Sequence, residues 1–180
     1  MNANKMKVLF FLLLACAVPC TASTTLPWRT FSFPNFRFSL DCLYPLENTQ
    51  SSKDGKSIYL SSPLLEKKHA GFKILIVATP IEKNQEMSAL DAAELLKKWN
   101  VQDGNMSDIK TQEVAWNCSG LPAVFSVGSC KDKKGLSKRL QMLNVVEPKY
   151  WWSVIIQCQN DDPVQEKIAD QILASLKVQK

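Results

Sequence analysis

The chain holds one histidine, His69, in a lysine-rich stretch beside Lys67 and Lys68. Any serine or cysteine nucleophile relying on an imidazole base would have to use it, and no G-x-S-x-G elbow accompanies it. It reads as a surface histidine. A single imidazole also gives little support for a histidine-based metal site. Gly55-Lys56-Ser57 has the ending of a phosphate-binding loop, but Gln50 stands where the first glycine is required. Asp161-Asp162 has the chemistry of calcium ligands; placed directly before Pro163, the pair reads better as the cap of a helix. No spacing of acids points to the two carboxylates of a glycosidase. The expectation is a non-enzyme with no catalytic residue, no metal and no cofactor.

Thiol chemistry is the other candidate. Six cysteines are present. Cys16 and Cys20 fall in the N-terminal apolar segment, which leaves Cys42, Cys118, Cys130 and Cys158. None of the four belongs to a C-x-x-C pair, so zinc and thioredoxin-like redox sites lack support. An even count in an exported chain predicts two structural disulfides. Among surface-chemistry candidates, Tyr150-Trp151-Trp152 stands out. In a strand, Trp152 shares parity with Val154 and Ile156 and belongs to the core. Tyr150 and Trp151 form the candidate binding patch, because exposed aromatics are enriched at interfaces. Asn105-Met106-Ser107 and Asn117-Cys118-Ser119 match glycosylation sequons, which matter only in a eukaryotic secretory host.

Residues 1–23 have the make-up of an export leader. Lys5 and Lys7 precede an apolar run from Val8 to Val18, and Thr21-Ala22-Ser23 offers small residues for cleavage. These are the proportions of a signal peptide, and the run is too short to span a bilayer, which takes about 20 residues. A competing reading takes Leu13-Leu14-Ala15-Cys16 as a lipobox, with Cys16 lipidated and a membrane anchor as the result. Removing residues 1–23 takes two lysines and no acids from the +5 of the whole chain and leaves +3. That is too weak for nucleic acid, and the basic residues are interleaved with acids. With 46% hydrophobic and 22% charged residues over 180, wholesale disorder and coiled coil are excluded. Residues 24–180 form one domain.

Periodicity supplies the elements that position these groups. Residues 24–30 read as a loose start. Phe36, Phe38, Leu40 and Cys42 alternate as a half-buried strand. Residues 47–57 read as an exposed turn region, 57–61 as a short strand, and the stretch holding Lys67, Lys68 and His69 as a loop. Residues 72–78 are apolar on both faces, as for a central strand. Ser88 with Asp91 predicts a capped helix to about Trp99, with Ala89, Ala92, Ala93, Leu96 and Trp99 as its buried stripe. Four strands then follow as a meander, over 111–118, 123–130, 138–146 and 150–158. A last helix opens at Pro163, with Val164, Ile168, Ile172, Leu173 and Leu176 apolar. The fold class is α+β: a mostly antiparallel sheet packed by two amphipathic helices, an α-β-α sandwich.

In this meander Cys118 and Cys130 lie at opposite ends of the sheet, about 23 Å apart, too far for a bridge. Cys118–Cys158 fails for the same reason, so Cys42–Cys118 with Cys130–Cys158 is the expected connectivity.

The aromatic strand at Phe36-Arg37-Phe38, the strand and helix over 72–99, the Gly120-Leu121-Pro122-Ala123 hairpin and the terminal helix ending Ile172-Leu173-Ala174-Ser175-Leu176 together resemble the PsbP/Mog1-like α-β-α sandwich family. Its bacterial relatives include DcrB-type envelope proteins. The resemblance covers most of residues 24–180. It implies a small exported domain that works by binding, with no shared catalytic residues. The expected function is therefore an exported, non-enzymatic envelope protein, periplasmic or secreted, acting through protein contacts with a protein partner. The alternative is a periplasmic inhibitor or immunity protein against a toxin or hydrolase. Membrane attachment is expected only with Cys16 lipidated.

Overall fold

A computed structural model describes residues 27–51, 57–82 and 86–179. The expected leader, with Cys16, and the Gly55-Lys56 pair lie outside these. The elements are β1 (Arg29–Phe33), β2 (Phe38–Cys42), β3 (Glu47–Ser51), β4 (Ile58–Ser61), α1 (Pro63–Lys68), β5 (Lys73–Pro80) and α2 (Ala89–Gln102). The second half adds β6 (Met106–Cys118), β7 (Leu121–Asp132), β8 (Ser137–Val146), β9 (Tyr150–Gln159), α3 (Pro163–Ser175) and β10 (Lys177–Val178).

The meander forms as the alternation predicts, with β6 to β9 joined by successive hairpins. It continues through β5, which pairs antiparallel with β9 from Lys73 opposite Gln157 to Pro80 opposite Tyr150. The sheet order is β3-β4-β5-β9-β8-β7-β6. Its inner strands β5 and β9 are largely apolar on both faces, and α2 and α3 pack on opposite faces. Trp152, Val154, Ile156 and Cys158 point into the core under α3, while Leu140, Met142, Trp151 and Ile155 point to the other face under α2. The α+β sandwich is therefore realised, with β5 central as expected.

The two long helices, α2 and α3, start where their caps put them. Ser88 Oγ accepts from the Asp91 N–H at 3.1 Å and the Asp91 carboxylate accepts from the Ser88 N–H at 3.0 Å, a closed capping box. Asp162 Oδ1 accepts from the N–H groups of Val164 and Gln165, and Pro163 supplies the first helical residue without an orphan donor. A second, small sheet in the order β1-β2-β10 closes over α3. It is tied down where Ser175 Oγ accepts from Asp41 N–H at 2.8 Å and where Trp152 Nε1 donates to the Phe36 carbonyl at 2.7 Å.

Several expectations need correction. Residues 47–51 are the edge strand β3 and not a turn; the strand is exposed over Glu47–Thr49, so hydrophobic alternation is missing. The presumed loop at 63–68 is α1, one and a half turns held by the fully buried Leu65, too short for a period to show. The N-terminal stretch is already a strand at Arg29. Trp99 and Val164, assigned to buried helix stripes, are 39% and 59% exposed.

Candidate functional site

The four cysteines are free, buried thiols, and the expected bridges do not form. Cys130 pairs with Lys138, and Lys138 pairs with Gln159, so Cys130 and Gln159 share one face of the sheet. Cys158, one residue earlier, points to the other. Cys130 lies in the core under α2 and Cys158 in the core under α3. The expectation counted strands but not faces. Cys42 sits beside the Ser62 hydroxyl, whereas Cys118 donates its S–H to the Leu176 carbonyl at 3.4 Å. Burial pushes all four thiols up, Cys130 and Cys158 to about 11, so none is an activated nucleophile.

The Tyr150–Trp151 patch also does not form. Trp151 is 2% exposed. Its ring packs 5.6 Å from that of Trp99 on α2, and its Nε1 donates to Ser153 Oγ, which in turn donates to Asn144 Oδ1. Tyr150 stacks on Trp152 at 5.6 Å and lies under the Arg37 guanidinium at 5.9 Å, where Arg37 also pairs with Glu147. The aromatic cluster is packing. His69 is half-buried at the end of α1, edge-on to Tyr44 at 6.4 Å.

The exposed apolar surface lies elsewhere, on both flanks of α3. On one flank a groove of about 750 Å³ is lined by Trp28, Leu43, Tyr44, His69, Val164 and Ile168, among others. On the other flank, α3 reaches only part of the way across the sheet. Beyond it, β6 and β7 present Val114, Trp116 and Phe125 on the same face. Trp116 is 53% and Val114 45% exposed. Trp116 and Phe125 meet at 6.0 Å and, with Leu143 and Leu173, line a crevice of about 240 Å³.

β6 is also an edge strand: it pairs with β7 on one side and with no described strand on the other. Such edges are ordinarily blunted by charges, bulges or proline. Here the bulge between Ser107 and Lys110, the left-handed Asp108 (φ 49°) and the Asp108–Lys131 ion pair at 2.6 Å guard one end only. Glu113, held by Lys97 at 2.9 Å, lies on the α2 side. Val114-Ala115-Trp116-Asn117 carries no charge. The site thus offers a row of unpaired backbone groups beside an exposed tryptophan, the equipment for adding an extended chain. Sequence parity places Val114, Trp116 and Cys118 on one face, but it does not reveal that α3 stops short of them; only Cys118 is buried. Among the described residues, no group of three or more His, Cys, Asp or Glu side chains could hold a metal.

No protein-family model matches the chain, and no curated protein matches it in sequence. Among solved structures, the solution structure of cyanobacterial PsbP (CyanoP) from Synechocystis sp. PCC 6803 matches with a TM-score of 0.62 at 9% identity, covering 88% of this chain and 96% of that one. A crystal structure from Bacteroides thetaiotaomicron VPI-5482 matches with a TM-score of 0.49 at 14% identity, covering 84% of this chain and 48% of that one. The likeness to PsbP is one of fold, and it bears out the resemblance drawn from the order of strands and helices.

Proposed function

We propose that this chain is an exported, non-enzymatic envelope protein that acts by docking an extended segment of a protein partner along β6, with Trp116 as the anchor. The observation that carries this reading is Trp116, 53% exposed on an edge strand whose final third has no guarding charge. Main-chain pairing would supply affinity, and the Trp116–Phe125 crevice would select an apolar side chain at alternate positions of the partner. Export rests on residues 1–23 alone, because buried free thiols give it no support.

Two measurements test the proposal. A photo-crosslinking amino acid at Gln112, introduced in native cells, is expected to yield a discrete protein adduct that disappears with Trp116→Ala while the fold is retained. A persistent adduct in Trp116→Ala, or none in the parent, overturns the docking site. If the adduct is a hydrolase silenced at equal stoichiometry, the protein is an inhibitor of the immunity type. Mass analysis of the cellular protein is expected to show a start near residue 23 or 24. An unprocessed Met1 chain overturns export, and a start at a lipid-modified Cys16 places the same domain on a membrane.

A further inference from the structure

β6 and β7 are joined by Ser119 (φ 53°) and Gly120 (φ 77°), the two left-handed residues of a type I′ turn, with Cys118 opposite Leu121. The residues flanking such a two-residue loop exchange both main-chain bonds, so Cys118 turns its N–H and C=O toward β7. The register holds without a shift from Cys118 opposite Leu121 back to Lys110 opposite Ser129. Trp116, Val114 and Gln112 therefore also bond to β7, whereas the main-chain groups of Asn117, Ala115, Glu113 and Thr111 point outward to the free edge. Val114 and Trp116 carry their side chains on the α3 face, and α3, which packs on β2 and β9, does not bar the edge there.

We infer that the strand docked at this edge is β6 of a second copy of this chain, antiparallel about a two-fold axis through Ala115; the inference rests on the docking reading and names its partner. Opposed residues of an antiparallel ladder share a face, so the axis between two identical strands must pass through a residue that meets its own copy. Side chains select that residue. Lys110 or Glu113 on the axis would oppose like charges. Gln112 there would set Trp116 against the bulge, and Val114 there would set Trp116 against Gln112. With Ala115 on the axis, each Trp116 lies opposite Val114 of the other copy, an aromatic and β-branched pair. That pair is a non-hydrogen-bonded one in the new ladder, where side chains approach most closely. Ala115, small and exposed, then meets Ala115, and Glu113 meets Asn117, with the outward main-chain groups as their bonds. The ladder runs from Gln112 to Cys118 and ends before the bulge on one side and at the turn on the other. The exposed apolar residues of the edge, Val114 and Trp116, thus cover each other, because they flank the axis at the spacing that two-fold pairing requires.

So short a ladder falls at the small end of specific interfaces, and a dissociation constant on the order of 10 µM is expected. Sedimentation of the protein as purified from cells, from about 1 to about 500 µM, should pass from monomer to dimer. Ala115→Pro removes an N–H that faces the free edge, a substitution edge strands tolerate; it and Trp116→Ala, each checked for a retained fold, should weaken the dimer about tenfold or more. Register is read by mild oxidation of Ala115→Cys, Glu113→Cys and Asn117→Cys, since the native thiols are buried. Ala115→Cys should link to its own copy. The other two should not, because their copies stand four residues apart, about 14 Å, against the ~7 Å a disulfide spans. A monomer across the whole range, undiminished association in both variants, or equal linkage at all three positions overturns the inference. A Gln112 photo-adduct that joins two copies supports it. An adduct with a different polypeptide on a monomeric protein removes the second copy as the occupant and leaves the docking reading standing.

Discussion

Exposing the folded protein to a thiol reagent without prior reduction tests the face assignment of the cysteines directly. With pKa values of about 11 for Cys130 and Cys158, roughly one molecule in a thousand carries the thiolate at pH 8, against about one in ten for a thiol at its ordinary value of 9.0. Ionisation alone would therefore slow labelling about a hundredfold. Both sulfurs are shut in, at 2% and 0% exposure, so the reaction runs through an opened state in which burial no longer raises the thiol, and the opening equilibrium takes the place of the ionisation factor. A domain stable by about 5–6 kcal/mol is open about one part in ten thousand of the time. The assay is labelling with an alkylating reagent, native and in guanidinium, counted peptide by peptide by mass spectrometry. Cys42, Cys118, Cys130 and Cys158 are expected to be protected when native and all to label at once when unfolded. A Cys130–Cys158 linked peptide in a non-reduced digest would refute the register of β7, β8 and β9, since no rotamer carries a sulfur through a sheet.

Three more perturbations follow. A Cβ added at Gly128 would lie 1.9 Å from the Lys110 carbonyl oxygen, which the bulge of β6 turns over it; Gly128→Ala should destabilise by about 3 kcal/mol in urea unfolding, and a change near zero would mean that the bulge is misplaced. Asp162→Ala removes the acceptor of two α3 N–H groups and should cost about 1 kcal/mol, read as a lower denaturant midpoint with an unchanged slope. Glu66 has its pKa raised by burial, so the folded state binds its proton more tightly than the unfolded chain does. The group therefore weakens the fold at neutral pH, and that penalty fades as pH falls through the raised value toward 4.5. Lys73 on β5 is the charge that acts on it and the Ile74 N–H donates to it, both opposing the rise, while Asn100, Asn105 and Gln157, which line a crevice with it, are neutral. Glu66→Gln should be more stable than the parent at neutral pH and equal to it in acid; a constant difference across the range refutes the attribution.

What could be read from residues alone follows the strength of local signals. The Ser88–Asp91 box and the Asp162-Pro163 start encode their helices within a few residues and stand where expected, whereas the alternation read from Phe36 to Cys42 holds only from Phe38, because Phe36 closes a 3-10 turn ahead of the left-handed Arg37 (φ 56°). β3 and α1 were illegible because one lacks an apolar face and the other is too short to repeat. The candidate site was legible only in part. Parity set Val114 and Trp116 on one face, yet whether that face is covered depends on how far α3 extends across the sheet. That is a property of tertiary packing, as is the fate of Trp151, which has Trp99 above it. The cysteine pairing failed on the same kind of ground, since spacing along strands says how far apart two residues lie but not on which side.

The partner of β5 also bears on the order of events during synthesis. Hairpins β6 to β9 can close as soon as their own residues appear, but β5 finds its interior neighbour only when β9 has been made, with Thr79 opposite Trp151. Until then one of the most apolar strands has only the short β4 beside it, and closure of so distant a contact is slow. A chain built this way stays incompletely collapsed while its first half emerges from the ribosome. Ile74, Ile76 and Val77 are thus the part of the core whose covering strand is made last.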